Sequence, residues 1–446
     1  MRHADCANAE SFAQEHHQFV TQRAAQLGKA DVRRKAGLVP LDLKSKSKDK
    51  DGMAKEFADA VVKNVCGLHN FHHSIDPHSG KKVSFGLVRM ANIDPLFRVA
   101  LALFAHTGWE EKGVQVHLCV YHAQFPLCIR SAIEYRLDQT LNRRQPEAVF
   151  DLPEIRQKID SINGYPEREG HIFIVLGSPV TEVGRDHDYD WALVEPSSMR
   201  SLIQLAGRVR RHRRESYALE KPNIAVFNRN WKSFSFNNSQ NNQEPVFLRP
   251  GFENKYFLLE THDLRQLVKK ENLERIDSRP RILAKPEPDL KPRQFLVDLE
   301  HARMKETKKK AARWWTESVQ GALLTGILPK LQPFRKDEIK RVDLVLRPNE
   351  DGDDYALFLL LKEKNKRGQT TFVLVEDEKN RRVDLPQTSH ISVWGATDYI
   401  EALTQLAEDL DMPLAQCAER FGTVSLPEST NGWRFHPALG FIKAAG

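Results

Sequence analysis

Short apolar runs alternate with longer segments of helical period between residues 83 and 227. The pattern predicts buried strands at 83–90, 114–121, 171–176, 191–194 and 223–227. Between them it predicts helices at 94–106, 129–142 and 201–211. Strands that alternate with helices in this way form a parallel sheet covered by helices on both faces, and ligands bind such sheets beyond the carboxyl ends of their strands.

The flanks read differently. Residues 10–27 carry an amphipathic helical period, whereas 44–51 alternate Lys, Ser and Asp and cannot bury enough surface to order themselves, so they read as a solvated loop. Residues 237–243 are polar and of low complexity, which marks a domain boundary. A long helix is expected at 303–324, with Lys305, Lys308, Lys309 and Lys310 in its first half and Trp314 and Trp315 in its middle. The two tryptophans read as one core and one rim residue, with base stacking as the alternative. Strand-like runs at 343–346, 355–361 and 371–375 and a helix at 399–410 predict a separate, smaller α+β unit. The expected layout is therefore a mostly helical extension at 1–80, the α/β lobe at 81–235, a linker with a basic helix at 236–340, and an accessory domain at 341–446.

Composition narrows the picture further. Hydrophobic residues make up 40 % of the 446, which suits a globular chain and excludes a disordered one. Sixty-seven Lys and Arg against 60 Asp and Glu leave +7, a balance that favours an anionic partner. There is no apolar run long enough for a membrane span and no signal-like start, so the expectation is a cytoplasmic protein with no membrane partner. Five cysteines without a C-x-x-C pair imply reduced thiols and no structural zinc.

The most informative stretch is 200–214, where six arginines meet no acidic residue before Glu215. Gln204, Gly207, Arg208 and Arg211 follow Q-x-x-G-R-x-x-R, which on a helix places all four on one face, with Leu202, Leu205, Ala206 and Val209 opposite. Guanidinium forks match phosphate oxygens, so this face is suited to a nucleotide. Directly after the strand at 171–176 comes a second candidate, the loop 178–188. Its Gly184 lets backbone approach a ligand, and its Asp186 can accept from a ribose hydroxyl or orient an arginine of the first motif. His69, His72, His73, His78 and Asp76 fit no zinc spacing and read as a polar surface loop, and Asp186, His187 and Asp188 belong to the nucleotide loop; no metal site is expected.

These two stretches resemble motifs V and VI of superfamily 2 helicases. From about residue 83 to its last residue the chain closely resembles the C-terminal part of the helicase-nuclease of type I-F CRISPR systems. The likeness rests on residues 83–93, on Tyr121-His122 followed by Arg130 and Glu134, on 181–191, on 195–201 running into 204–213, and on the closing 432–441. It implies a second RecA-like lobe followed by the family's C-terminal domain. It also implies Arg208 and Arg211 as arginine fingers on the γ-phosphate, Gln204, Gly207, Gly184 and Asp186 as nucleotide-site residues, and Arg89 and His122 along a single-strand path. The implied partners are single-stranded DNA, an N-terminal helicase and nuclease half, and a crRNA-guided surveillance complex. The implied cofactor is ATP with Mg²⁺, bound only together with a first RecA-like lobe.

Three family parts are missing from this sequence: the P-loop, the D-E-x-H box and the histidine-aspartate nuclease segment. Its Gly-Lys pairs, Gly28-Lys29 and Gly80-Lys81, lack both the upstream glycine and the following Ser or Thr. Ala123-Gln124 stands where the family has Ser-Arg. Alone, the chain is expected neither to hydrolyse ATP nor to cut DNA. The alternative reading is a stand-alone nucleic-acid-binding or regulatory module that works without a motor.

Overall fold

The computed structural model describes residues 6–45, 49–160, 170–213, 219–235, 244–248, 250–316, 339–362, 370–376, 379–386 and 388–444. In chain order its first strands are β1 (Ala36–Val39), β2 (Ser74–Ile75), β3 (Lys82–Arg89), β4 (Val114–Tyr121), β5 (Gly170–Gly177), β6 (Trp191–Val194) and β7 (Ile224–Phe227). The helices among them are α1 (Ala9–Lys29), α2 (Lys50–Phe71), α3 (Ile93–Phe104), α4 (Leu127–Thr140), α5 (Pro153–Asp160) and α6 (Met199–Ala206). The predicted strands are therefore present, with ends shifted by a residue or so.

Two compact units divide the chain, one of residues 1–40, 196–207 and 215–334, the other of 41–195, 208–214 and 335–446. In the second unit β6, β3, β5 and β4 lie side by side in that order, all parallel. Every residue of β5 is buried, and so is all of β3 after Lys82, because a strand inside a parallel sheet has both faces covered. Met53, Phe57, Val61 and Val65 of α2 recur every fourth position and are fully buried, which gives the helix the stripe it packs against α3, β3 and β6. Gly86 in β3 lies flat beneath the Trp191 indole; a Cβ there would overlap the ring.

The last hundred residues form two small sheets. β8 (Arg341–Pro348), β9 (Tyr355–Lys362), β10 (Thr370–Leu374) and, later, β13 (Thr423–Pro427) make an antiparallel sheet in the order β10-β9-β8-β13. β11 (Asn380–Arg382), β14 (Trp433–His436) and β15 (Gly440–Lys443) make the other. The strand between them in sequence, β12 (Ile391–Val393), joins neither and pairs parallel with β4, Ile391 opposite Val116. The expected separate accessory domain thus shares one compact unit with the α/β lobe, because β4 would otherwise be an edge with an open hydrogen-bond row.

The first unit holds α1, the parallel pair β1 and β7, α6 and the helix Leu296–Thr316. Asn223 links its strands, accepting from Lys35 N at 3.1 Å and donating to Arg33 O at 3.0 Å. The loop expected at 44–51 closes instead into the start of α2, where Asp49 caps the helix by accepting from Gly52 N; residues 46–48 lie outside the described residues. Residues 237–243 also lie outside them, as do 317–324 of the predicted basic helix and the side chains of Trp314 and Trp315. Among the described residues no helix is long and apolar enough to cross a membrane.

Candidate functional site

α6 begins where Ser198 accepts from Ser201 N at 3.1 Å and the buried Glu300 accepts from Met199 N and Arg200 N. It ends after two turns. Gly207 is its C-cap, and from Arg208 onward the chain leaves the helical ladder: Tyr189 N donates to Arg208 O at 2.8 Å, Arg210 N donates to Tyr189 O at 2.9 Å, and Val209 bridges Tyr189 in parallel. Arg210 takes a left-handed φ of 47° to make this exit. The helix predicted to run to Arg211 is therefore corrected. Gln204 and Gly207 sit on α6 and its cap in the first unit, while Arg208 and Arg211 sit on an extended segment in the second.

That segment lies beside the loop after β5, and the two are joined by charge at a constant offset of 25 residues. Asp186 pairs with Arg211, and Asp188 pairs with Arg213 through Nη2 at 2.6 Å and Nε at 3.2 Å. Asp190 adds a further pair with Arg213 and accepts from Phe85 N at 2.7 Å, while Arg143 stands 3.6 Å from it. Asp188, Asp190, Arg143 and Arg213 are all buried. Burial alone would raise the Asp190 carboxyl, but the charges of Arg213 and Arg143 outweigh it and hold the group below the usual carboxylate range. This inner row fixes the loop to the arginine segment.

The outer row is open. Asp186, half-exposed, receives Arg211, Arg144 at 2.6 Å and His212 at 3.2 Å. Against the effect of burial, the hydrogen bonds from Arg211 and His212 keep its carboxyl low, so it is an anion that holds cations in place. Gly184 has φ +77° with nothing within 4 Å of a built Cβ, leaving the backbone accessible. Arg208 differs from its neighbours. Its Nη2 donates to Glu182 O at 3.1 Å, its Nε is buried without a partner, and no carboxylate pairs with it among the described residues. Burial and then the Arg211 charge push its guanidinium below its ordinary value. A partly buried cation with no ion-pair contact among the described residues, beside an open backbone, can bind an anion such as a phosphate. Magnesium has no comparable fit, since the site offers forks of positive charge and an Asp186 already taken by them.

Further residues brace the loop from α4. Arg185 pairs with Glu134 and, at 3.0 Å, with Asp138; His187 Nε2 meets Asp138 at 3.0 Å, and Tyr121 donates to Glu134 at 2.6 Å. Burial brings His187 down to about 4, so the ring is neutral near pH 7. Sequence reading missed Arg143, Arg144, Glu182, Asp190 and Arg213. A usable signal was present: acids at 186, 188 and 190 and arginines at 211 and 213 both repeat with the period of an extended strand.

Arg89 and His122, implied for a single-strand path, are both fully buried, so neither offers its side chain to a strand here. Arg89 Nε lies 2.8 Å from Glu182 Oε1. His122 donates from Nε2 to Leu439 O at 2.8 Å and accepts at Nδ1 from Gln124 N at 3.0 Å, and Phe441 N donates to Gln124 O. Two distant sequence blocks, 121–124 and 432–441, therefore form one packed joint. The histidine group expected as a surface loop is also corrected. His69 and His72 are buried on or at the end of α2, with His69 Nδ1 2.7 Å from Ser84 Oγ, and Asp76 is buried against Arg156. Among the described residues no three His, Cys, Asp or Glu side chains could hold a metal ion together.

Residues 82–214 match the family model for the C-terminal region of the CRISPR-associated nuclease/helicase Cas3, and residues 346–443 match that for the C-terminal domain of the Cas3 subtype I-F/YPEST-like group. The chain is 41 % identical over 444 residues to the CRISPR-associated nuclease/helicase Cas3 subtype I-F/YPEST of Pseudomonas aeruginosa (strain UCBPP-PA14), covering 97 % of this chain and 38 % of that protein. It is 35 % identical over 461 residues to the protein of the same description from Pectobacterium atrosepticum, covering 99 % and 39 %. The chain thus spans under two-fifths of the length of these relatives. A crystal structure of T. fusca Cas3 with ADP aligns over 93 % of this chain and 43 % of that one, at 13 % identity and a TM-score of 0.44.

Proposed function

Because this chain belongs with the C-terminal part of the Cas3 nuclease/helicase family of subtype I-F, we propose that it supplies the arginine-finger lobe and accessory region of an ATP-dependent DNA helicase-nuclease acting in type I-F CRISPR interference. One observation carries the reading. Arg208 is a partly buried guanidinium without a carboxylate partner among the described residues, beside an Arg211 held by Asp186. That pairing of a guanidinium held only by a carbonyl with one held by a carboxylate suits the three oxygens of a transferring phosphoryl group.

ATP with Mg²⁺, bound with the first RecA-like lobe, supplies that group. In this chain Arg208 and Arg211 take up charge on its oxygens, Asp186 keeps Arg211 in line, and Gly184 gives the phosphates room. The proposed partners are the motor and nuclease half, single-stranded DNA, and the crRNA-guided surveillance complex.

The test uses an enzyme containing both lobes. Arg211→Ala should lower ATPase turnover by roughly a thousandfold or more while DNA affinity stays within a few-fold. Near-normal hydrolysis by that variant sinks the finger assignment. If the parental chain also binds DNA tightly with no response to ATP or to the other lobe, the motorless-module reading replaces it.

A further inference from the structure

We infer that Arg89 is a positioning residue, whose buried ion pair with Glu182 sets the turn on which Arg208 rests and so ties the end of β3 to the finger. The inference rests on the reading of Arg208 as a finger. Arg89 is the last residue of β3 and has no exposed surface, which removes it from direct contact with a strand. Its partner Glu182 is equally inaccessible, its side chain only 3 % exposed, with Nε and Oε1 2.8 Å apart. Two apolar side chains of similar size would fill this space at no electrostatic cost, so a buried pair here points to a geometric task.

Glu182 has two ends, and each is engaged. Its carboxylate meets Arg89, while its backbone carbonyl accepts from Arg208 Nη2 at 3.1 Å. Its own N–H donates to Pro179 O at 3.1 Å, closing a tight turn that Thr181 Oγ1 reinforces by donating to Ser178 O at 3.0 Å. The turn cannot rotate without breaking the ion pair, and the carbonyl that aims Arg208 cannot move without the turn. On the other side the strand end is knotted to Glu195, which donates its N–H to Arg89 O at 2.9 Å and accepts from Ala91 N at 2.6 Å. A displacement of residues 89–91 therefore reaches Arg208 through one side chain.

The experiment measures three variants in the two-lobe enzyme: Arg89→Lys, which keeps charge but not the fork; Glu182→Gln, which keeps size but not charge; and the apolar pair Arg89→Met with Glu182→Leu, which keeps the core filled. Each is followed by melting temperature, ATP KM and kcat per folded molecule, and DNA affinity as a function of salt. The expected result is a loss of kcat of roughly 10- to 100-fold in all three, with KM and the salt dependence of DNA binding unchanged. The Arg89→Lys and Glu182→Gln effects should not add when combined. Variants that melt earlier yet keep kcat per folded molecule within twofold overturn the inference. So does an Arg89→Lys protein whose salt slope falls by about one, the mark of a lost phosphate contact. Arg208→Ala is run alongside. If it hydrolyses ATP normally the finger reading has failed, whereas an inactive Arg208→Ala beside active Arg89 and Glu182 variants removes only the positioning role.

Discussion

Arg208 and Arg213 carry the same guanidinium in one short segment, and their surroundings give them opposite tasks. Arg213 is buried between Asp188 and Asp190, so its charge is spent on the fold. Arg208 is partly buried, donates to one carbonyl and has no ion-pair contact among the described residues, so its charge is left for something outside the chain. Two predictions separate them. Arg208→Ala should leave the urea unfolding free energy within about 0.5 kcal/mol, because it removes one hydrogen bond to a carbonyl together with a partly buried charge that has no ion-pair contact among the described residues. Asp190→Asn should cost about 3–5 kcal/mol in the same assay, since it takes the carboxylate from buried Arg143 and leaves Arg213 only Asp188. The Asp190 pKa is depressed, so its contribution is complete above the ordinary carboxyl pKa and lost as pH falls below it through the folded value. The acid limb of unfolding should therefore flatten in Asp190→Asn. At this scale the residue types were legible and their partners were not. Asp186 was readable as a residue that orients an arginine, but nothing local announced that Arg89 and His122 would be sealed from solvent.

Among the elements, the strands were read almost to the residue, since β3, β4 and β5 are covered on both faces and show it as mostly apolar runs with only a few polar positions. The arginine helix was read too long. Its periodicity continues through Val209, yet pairing with Tyr189 replaces the helical hydrogen bonds from Arg208 onward and Arg210 turns into the left-handed region. Position 86 offers a test of how tightly the sheet is built. Gly86→Ala drives a methyl into the Trp191 indole and should lower stability by about 1–3 kcal/mol in thermal unfolding. If it melts like the parent, β6 does not pack on β3 as described.

For the whole molecule, burial sets the response to acid. His69, His122 and His187 are each lowered by burial to about 4, and His117 is also lowered. A histidine whose folded pKa lies below its unfolded value stabilises the fold above about pH 6.5 and loses that contribution as pH falls toward the folded value. The urea midpoint of the second unit should fall steadily from pH 6.5 to 4.5, and a flat profile would show that these rings are protonated in the fold. Glu300 in the first unit runs the other way: burial pushes its carboxyl up to about 7, so its contribution is present below the ordinary carboxyl pKa and is lost as pH rises through neutrality.

Local sequence carries the order of strands and helices, the α/β lobe with its arginine motif, and the kinship that two family models and two long relatives support. Those properties are written in neighbouring residues: period, breakers, caps and the identity of side chains. The tertiary structure decided where α6 stops, which acid holds which arginine, that Arg89 and His122 lie inside, and that β12 completes a sheet begun nearly three hundred residues earlier. Each of these depends on a partner far along the chain, such as Glu182 for Arg89, Leu439 for His122 and Val116 for Ile391. No local pattern records a contact that exists only once the chain has closed on itself, and the partners that hold Asp186 and Asp190 as anions against the effect of burial are contacts of that kind.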